Sequence, residues 1–305
     1  MNTPSNPIVE SSAVAAPSPT LATRPYYWSV RRELWENRSI YLAPLAVAGV
    51  FLLGFLITIR RSGKLHELWL GVHPHDLTAT PYDIVSGAMM LTTMLVSVFY
   101  CSDALYGERR DRSILFWKSM PVSDLTTVLS KATIPLVIVP LVAWAITVAL
   151  HWIMLLLTSA ILLASGLSVA ALWTQSSFVR TSLLLLYHLF TAHTLWPAPV
   201  FCWLLLVSGW ARRATLLWAA LPLVAIGGLE AIFFHSWHFA ALVGTRLIGA
   251  APAIDLRSPD TLPTNPMTHI TPENFLSTPG LWIGLAFCVI CLAAAVRLRR
   301  YREPI

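Results

Sequence analysis

The chain of 305 residues is 56% hydrophobic and 12% charged, with a mean hydropathy of +0.65. Water-soluble domains carry about 25% charged residues, so this composition excludes a compact soluble enzyme, and it excludes disorder outside short segments because disorder needs low hydrophobicity. The net charge of +6 is modest, and thirteen Trp with eight Tyr suit a chain that crosses many membrane–water boundaries.

Residues 1–23 are rich in Ser, Pro, Ala and Thr and contain neither Lys nor Arg. Without a basic start or an apolar centre they read as a disordered tail, not a signal peptide. Residues 24–38 mix aromatic and charged side chains: Tyr27, Val30 and Leu34 share one helical face, Arg31, Arg32 and Glu33 stand around it, and Trp28 and Trp35 flank it. The pattern predicts an amphipathic helix lying in the membrane interface.

A spanning helix needs about 20 mostly apolar residues. Six segments qualify, at about 39–59, 84–102, 132–157, 181–211, 214–235 and 275–296. The ambiguous stretch is 132–179, where 48 positions hold no Asp, Glu, Lys or Arg; it has room for two tight spans, or for one long helix and a non-spanning piece. Charge bias chooses, because Lys and Arg favour the cytoplasmic side. With the N-terminus inside, six spans put 15 of the 21 Lys and Arg there and seven spans put only 12. The chain therefore reads as an all-α membrane protein of six transmembrane helices, with an N-terminal interfacial helix, a re-entrant segment before the last span and both termini cytoplasmic.

Residues 60–82 and 236–273 link spans without crossing. Within the second link, Trp237–Ala251 is apolar and long enough to dip into the outer leaflet and return, packed against protein. Trp196-Pro197-Ala198-Pro199 interrupts the fourth span, and Pro135 and Pro140 fall in the third. Each Pro removes a backbone donor, so both helices are expected to kink. At Trp196, Pro197 and Pro199 the kink either opens a pathway or merely curves the bundle.

The loop 103–131 carries the densest chemistry. Asp103, Glu108, Arg109, Arg110, Asp111 and Arg112 precede an apolar run of Ile114, Leu115, Phe116 and Trp117; Pro121 then breaks the chain and Ser123 can cap a new helix through Lys131. A charged turn, a short aromatic helix and a capped re-entry make a rigid knob. Tyr106-Gly107-Glu108-Arg109-Arg110-Asp111, followed by Ser113-Ile114-Leu115-Phe116-Trp117 and Pro121-Val122-Ser123-Asp124, resembles the cytoplasmic loop of type-2 ABC transporter permeases. The layout over residues 24–302 is similar as well.

That resemblance implies a bacterial inner-membrane permease that dimerises, each copy meeting a separate ABC ATPase subunit. It implies that residues 108–122 dock on the ATPase, with Glu108, Arg109, Arg110, Asp111, Phe116, Trp117 and Pro121 as the coupling residues. Trp28, Arg31, Arg32, Leu34 and Trp35 of the interfacial helix would lie at the same interface. ATP and magnesium would be bound by the partner, with no cofactor in this chain, and the cargo moved outward would be amphipathic or hydrophobic.

The rest of the sequence agrees with a borrowed energy source. No G-x-x-x-x-G-K-[ST] phosphate loop is present, and only Glu230 and Arg180 approach the hydrocarbon, both near span ends, which disfavours ion coupling. Cys101, Cys202, Cys288 and Cys291 sit in apolar runs and read as small buried hydrophobes. The histidine pairs offer no third ligand for zinc, no catalytic triad or paired carboxylates occur, and no nucleic-acid partner is expected. The alternative readings are a membrane scaffold, assembly or sensor protein, and an ion-coupled secondary transporter.

Overall fold

The computed structural model describes residues 24–61, 74–119, 122–166, 168–170, 173, 178–248 and 272–301. The tail 1–23, much of the links 60–82 and 236–273, the Trp117 side chain and Pro121 lie outside the described residues. Helices account for nearly all of the described chain. They are α1 (Arg24–Glu36), α2 (Ser39–Arg61), α3 (Pro74–Asp103), α4 (Tyr106–Arg110), α5 (Ser113–Ser119), α6 (Asp124–Thr133), α7 (Val139–Ala164), α8 (Phe178–Phe190), α9 (Ala198–Trp210), α10 (Thr215–Phe234), α11 (His238–Ile248), α12 (Pro272–Ser277) and α13 (Pro279–Tyr301).

Five helices are long and apolar enough to cross a bilayer, and a sixth crossing results if α8 and α9, bent by 47°, count as one. The chain is a multi-pass membrane protein by length and composition. Large apolar side chains point outward along α2, α10 and α13, among them Val50, Leu53, Val224, Ile232, Ile283 and Val289. Water would not tolerate so continuous an apolar surface, and lipid does.

The interior is built on α3 and α9. Met94, Tyr100 and Cys101 of α3 meet Phe201, Leu204 and Leu205 of α9, with Ile40 from α2 and Ile134 and Val139 from the third span closing the cluster. A second cluster joins Ala48 of α2 to Val85 and Met89 of α3 and to Leu150 and Met154 of α7. Cys202 of α9 packs on Cys288 and Cys291 of α13, and all four cysteines are buried free thiols.

The third span passes its prolines without ending. Asp124–Ala164 is one continuous helix of 41 residues, because Ile134–Ile138 forms a π-helical turn with Pro135 in it. The wider turn absorbs the prolines that would otherwise break the ladder. At 1.5 Å per residue this helix is about 60 Å long, twice the roughly 30 Å of a hydrocarbon core, so the uncharged run is helical well beyond residue 157.

The one acid of the fifth span has a structural task. His235 ends α10 in the left-handed region, at φ 50°, and α11 folds back so that Gly227 lies against Phe239 and Ala240. Glu230 accepts hydrogen bonds from Ser236 Oγ (2.7 Å), His238 N (3.0 Å) and Phe239 N (2.8 Å), which satisfies the first amides of α11 as an N-cap does. Replacing Glu230 by Ala is expected to raise amide hydrogen exchange over residues 236–240 while leaving α13 protected; equal protection in the variant would show that the cap does not hold the hairpin.

Candidate functional site

One end of the bundle holds a buried ion cluster drawn from five helices. Glu33 is only 2% exposed on α1; its carboxylate accepts from Lys131 Nζ at 2.8 Å, Arg32 Nη2 at 3.1 Å and Tyr100 OH at 2.8 Å. Glu108 of α4 accepts from Arg32 Nη2 at 2.9 Å, pairs with Lys131 Nζ at 3.2 Å and is bound by Arg299 Nη1 of α13. Arg299 also donates through Nε to Asp124 Oδ1 at 3.1 Å. Three carboxylates thus face three cations, and the desolvation of each is offset by partners at hydrogen-bond distance.

The sequence explains why these groups meet. Asp124 and Lys131 lie seven residues apart on α6, which Ser123 caps as its position predicts, its Oγ accepting from Thr126 N at 3.1 Å. Two helical turns separate them, so both lie on one face of the helix, Asp124 toward Arg299 and Lys131 toward Glu33 and Glu108. Arg299 comes from the basic end of α13, and Tyr100 from the last turns of α3. Burial pushes the Glu108 carboxyl up, but Lys131, Arg299 and Arg32 outweigh it and hold it down at about 2.

Next to the cluster, Arg109 is also interior. Its Nη1 donates to the carbonyls of Gly209 (2.8 Å) and Ala211 (3.1 Å), satisfying the end of α9, where a cation is favoured by the helix dipole. Leu105 N meets Ser208 Oγ at 3.4 Å, so the start of the loop is locked to α9. Arg112 then turns the chain through the left-handed region, at φ 57°, and α5 begins. Ile114 is buried beneath it, while Leu115 and Phe116 are 57% and 61% exposed.

The expected coupling residues therefore divide. Glu108 and Arg109 are anchors inside the protein, because their charges find partners there, and they present no docking surface. Arg110, Asp111 and Phe116 are exposed; Arg110 Nε pairs with Asp111 Oδ1 at 3.0 Å.

Helix α1 is rotated from the setting expected of it. Val30 and Leu34 pack on the core, but Tyr27 is exposed, and Glu33 takes the most buried position on that helix. Arg32 faces inward, as its pairs show, and Trp28 and Trp35 face outward with the Arg31 guanidinium 5.1 Å and 4.6 Å from their rings. The hydropathy pattern missed the inward face because Lys131 and Tyr100 make a buried carboxylate affordable there.

The kink at Trp196, Pro197 and Pro199 is real and filled. A π-helical turn, Thr191–Leu195, precedes it. Arg246 of α11 stacks on Trp196 at 3.9 Å from the ring centroid, donates to Trp196 O at 2.9 Å and to Gly280 O. Trp196 Nε1 returns a bond to Thr245 O at 2.9 Å, and Phe275 and Leu281 pack around the indole. A Cβ on Gly284 would fall 2.9 Å from both Pro199 Cγ and Arg246 Nη1, so glycine lets α13 approach the bend. Sequence reasoning missed Arg246 entirely.

Among the described residues, no three His, Cys, Asp or Glu side chains converge on a metal position. No known family matches the chain, and no curated protein or solved structure is similar to it.

Lys131→Met leaves Glu33 and Glu108 short of a buried cation and is expected to cost about 3–5 kcal/mol, read as a lowered unfolding midpoint in detergent. Adding Glu33→Gln is expected to cost less than the sum of the two single changes, the mark of direct coupling. Because the native Glu108 carboxyl is held below its ordinary range, its contribution is complete above about pH 4.5 and drains away as pH falls toward about 2. The stability difference between wild type and Glu108→Gln should narrow across that window in thermal unfolding; a pH-independent difference would contradict the assignment.

Proposed function

We propose that this chain is the permease subunit of an ATP-driven exporter in a bacterial inner membrane, with six spans and both termini in the cytoplasm. Two copies work with two ATPase subunits and carry an amphipathic or hydrophobic cargo outward. The observation that carries this reading is the knob. Leu115 and Phe116 are displayed on a short helix whose root, Glu108 and Arg109, is fixed in the bundle by ion pairs and by the end of α9.

A large apolar side chain pair held out at the charged end of a membrane bundle is costly unless a partner covers it, and a rigid root makes such a pair useful for receiving force. Pushing on α5 would load α1, α6, α9 and α13 together, since each is tied to the root. The exposed apolar faces of α2 and α10 leave surface for lipid and for a second copy. In the same reading, α10 is the fifth span and α11, folded back against it, is the re-entrant segment before the last span.

The test is capture of the ATPase subunit by the purified permease in nanodiscs, with ATP hydrolysis measured on the complex. Leu115→Ala with Phe116→Ala is expected to weaken association by roughly thirtyfold or more, as truncation of an interface centre does, with the unfolding midpoint unchanged because both side chains are exposed. Wild-type capture and hydrolysis by the double variant would overturn the proposal.

A further inference from the structure

Beyond the end of α7 the chain returns along the same helix. Trp173 Nε1 donates to Ser159 Oγ at 3.2 Å, the Phe178 and Trp152 rings lie 4.5 Å apart, and Trp144 Nε1 donates to Ser182 O at 2.9 Å. These three contacts set an antiparallel register. By that register α8 starts level with Trp152, about 18 Å back from the tip of α7 at Ala164. Arg180 falls between the levels of Trp144 and Trp152, so it stands about 25 Å along the helix from Lys131. That separation is close to the roughly 30 Å of a hydrocarbon core. With the buried ion cluster at one bilayer boundary, Arg180 lies at the other.

At this level the helices leave an open groove of about 780 Å³, lined by Trp152, Trp173, Phe178, Leu183 and Leu184, with Arg180 as its one charged residue. The volume falls within the roughly 300–1,000 Å³ of small-ligand sites. Arg180 has no carboxylate partner among the described residues, and the sequence from 132 to 211 contains neither Asp nor Glu. A guanidinium at the edge of hydrocarbon, with no acid facing it among the described residues, favours an anion from elsewhere. Its fork suits a phosphate. The wall one turn further along α8 is leucine, and the opposite wall is aromatic, which suits an alkyl chain and rejects a bare ion.

We propose that the groove between α7 and α8 holds an anionic phospholipid, its phosphate on Arg180 and one acyl chain against Trp152, Phe178 and Leu183. This site depends only on the chain being a membrane protein and stands whether or not it transports. It is occupied from the leaflet opposite the ion cluster, and it fills the space between a helix that overshoots the bilayer and one that starts at its edge.

The experiment uses the full chain in phosphatidylcholine nanodiscs containing a trace of a lipid with a photoactivatable diazirine in its acyl chain, the headgroup being either glycerol or choline. Cross-linked peptides are mapped by mass spectrometry. The phosphatidylglycerol probe is expected to label the peptides holding Trp152 and residues 178–184 about tenfold more than the choline probe, the ratio that about 1.4 kcal/mol of charge-assisted binding gives. Arg180→Gln should bring the ratio close to one, and Arg180→Lys should restore part of it. Leu183→Trp, which fills the groove and keeps the charge, should lower labelling by both probes, and it decides the matter if Arg180→Gln does not fold. Equal labelling by the two probes in the wild type, a ratio unchanged in Arg180→Gln, or undiminished labelling in Leu183→Trp would overturn the proposal. So would loss of the phosphatidylglycerol signal on adding inorganic phosphate, which would make the site one for the free anion.

Discussion

A charge removed from water has to find its opposite, and that requirement organises this protein. Glu33, Glu108 and Asp124 lie far apart in sequence, as do Arg32, Lys131 and Arg299, yet none of the buried members is stable without the others. The observed arrangement of α1, α4, α6 and α13 links all six groups through ion pairs, with Tyr100 of α3 completing the shell of Glu33. Apolar packing alone would let these helices slide or rotate at small cost, since a lipid-facing leucine gains little from one neighbour over another. The ion cluster fixes their register. We regard this specificity, more than net stability, as its contribution.

The knob inherits its rigidity from that cluster. α4 is only one turn and a half long and would not hold its shape alone. Glu108 points one side of it into the cluster, and Arg109 points the other at the exposed carbonyls that end α9. Anchored on both sides, the turn at Arg112 delivers α5 with Ile114 inward and Leu115 and Phe116 outward. Charged residues that hydropathy assigns to a solvated loop are thus the roots of an apolar protrusion.

What the sequence disclosed and what it hid follow from the range of the forces involved. Spans were legible because hydrophobicity is summed over twenty residues, and the Ser123 cap because its partner is three residues away. The bend after Trp196 was legible because proline acts on its own helix. The partnership of Glu33 with Lys131 was not, since it spans 98 positions, nor was that of Glu108 with Arg299, which spans 191. A faint signal existed: Lys131 directly precedes 48 uncharged positions, a costly place for an ammonium unless an acid waits there. Arg246 gave no such signal, because its partners are two carbonyls and an indole face, which no composition records. In the third span the prolines expected to kink the helix coincide with a π-helical turn, Ile134–Ile138.

The unbroken helix from Asp124 to Ala164 has one more implication. Leaning at the steepest angle common among spanning helices, about 40°, a rod of this length still rises some 46 Å, well above the oily layer it crosses. The surrounding lipid must stretch toward it, or the surplus must stand clear and be shielded by the returning segment. Either way the tail length of the host lipids enters the energy of this protein, which should settle preferentially in the thicker patches of a heterogeneous membrane.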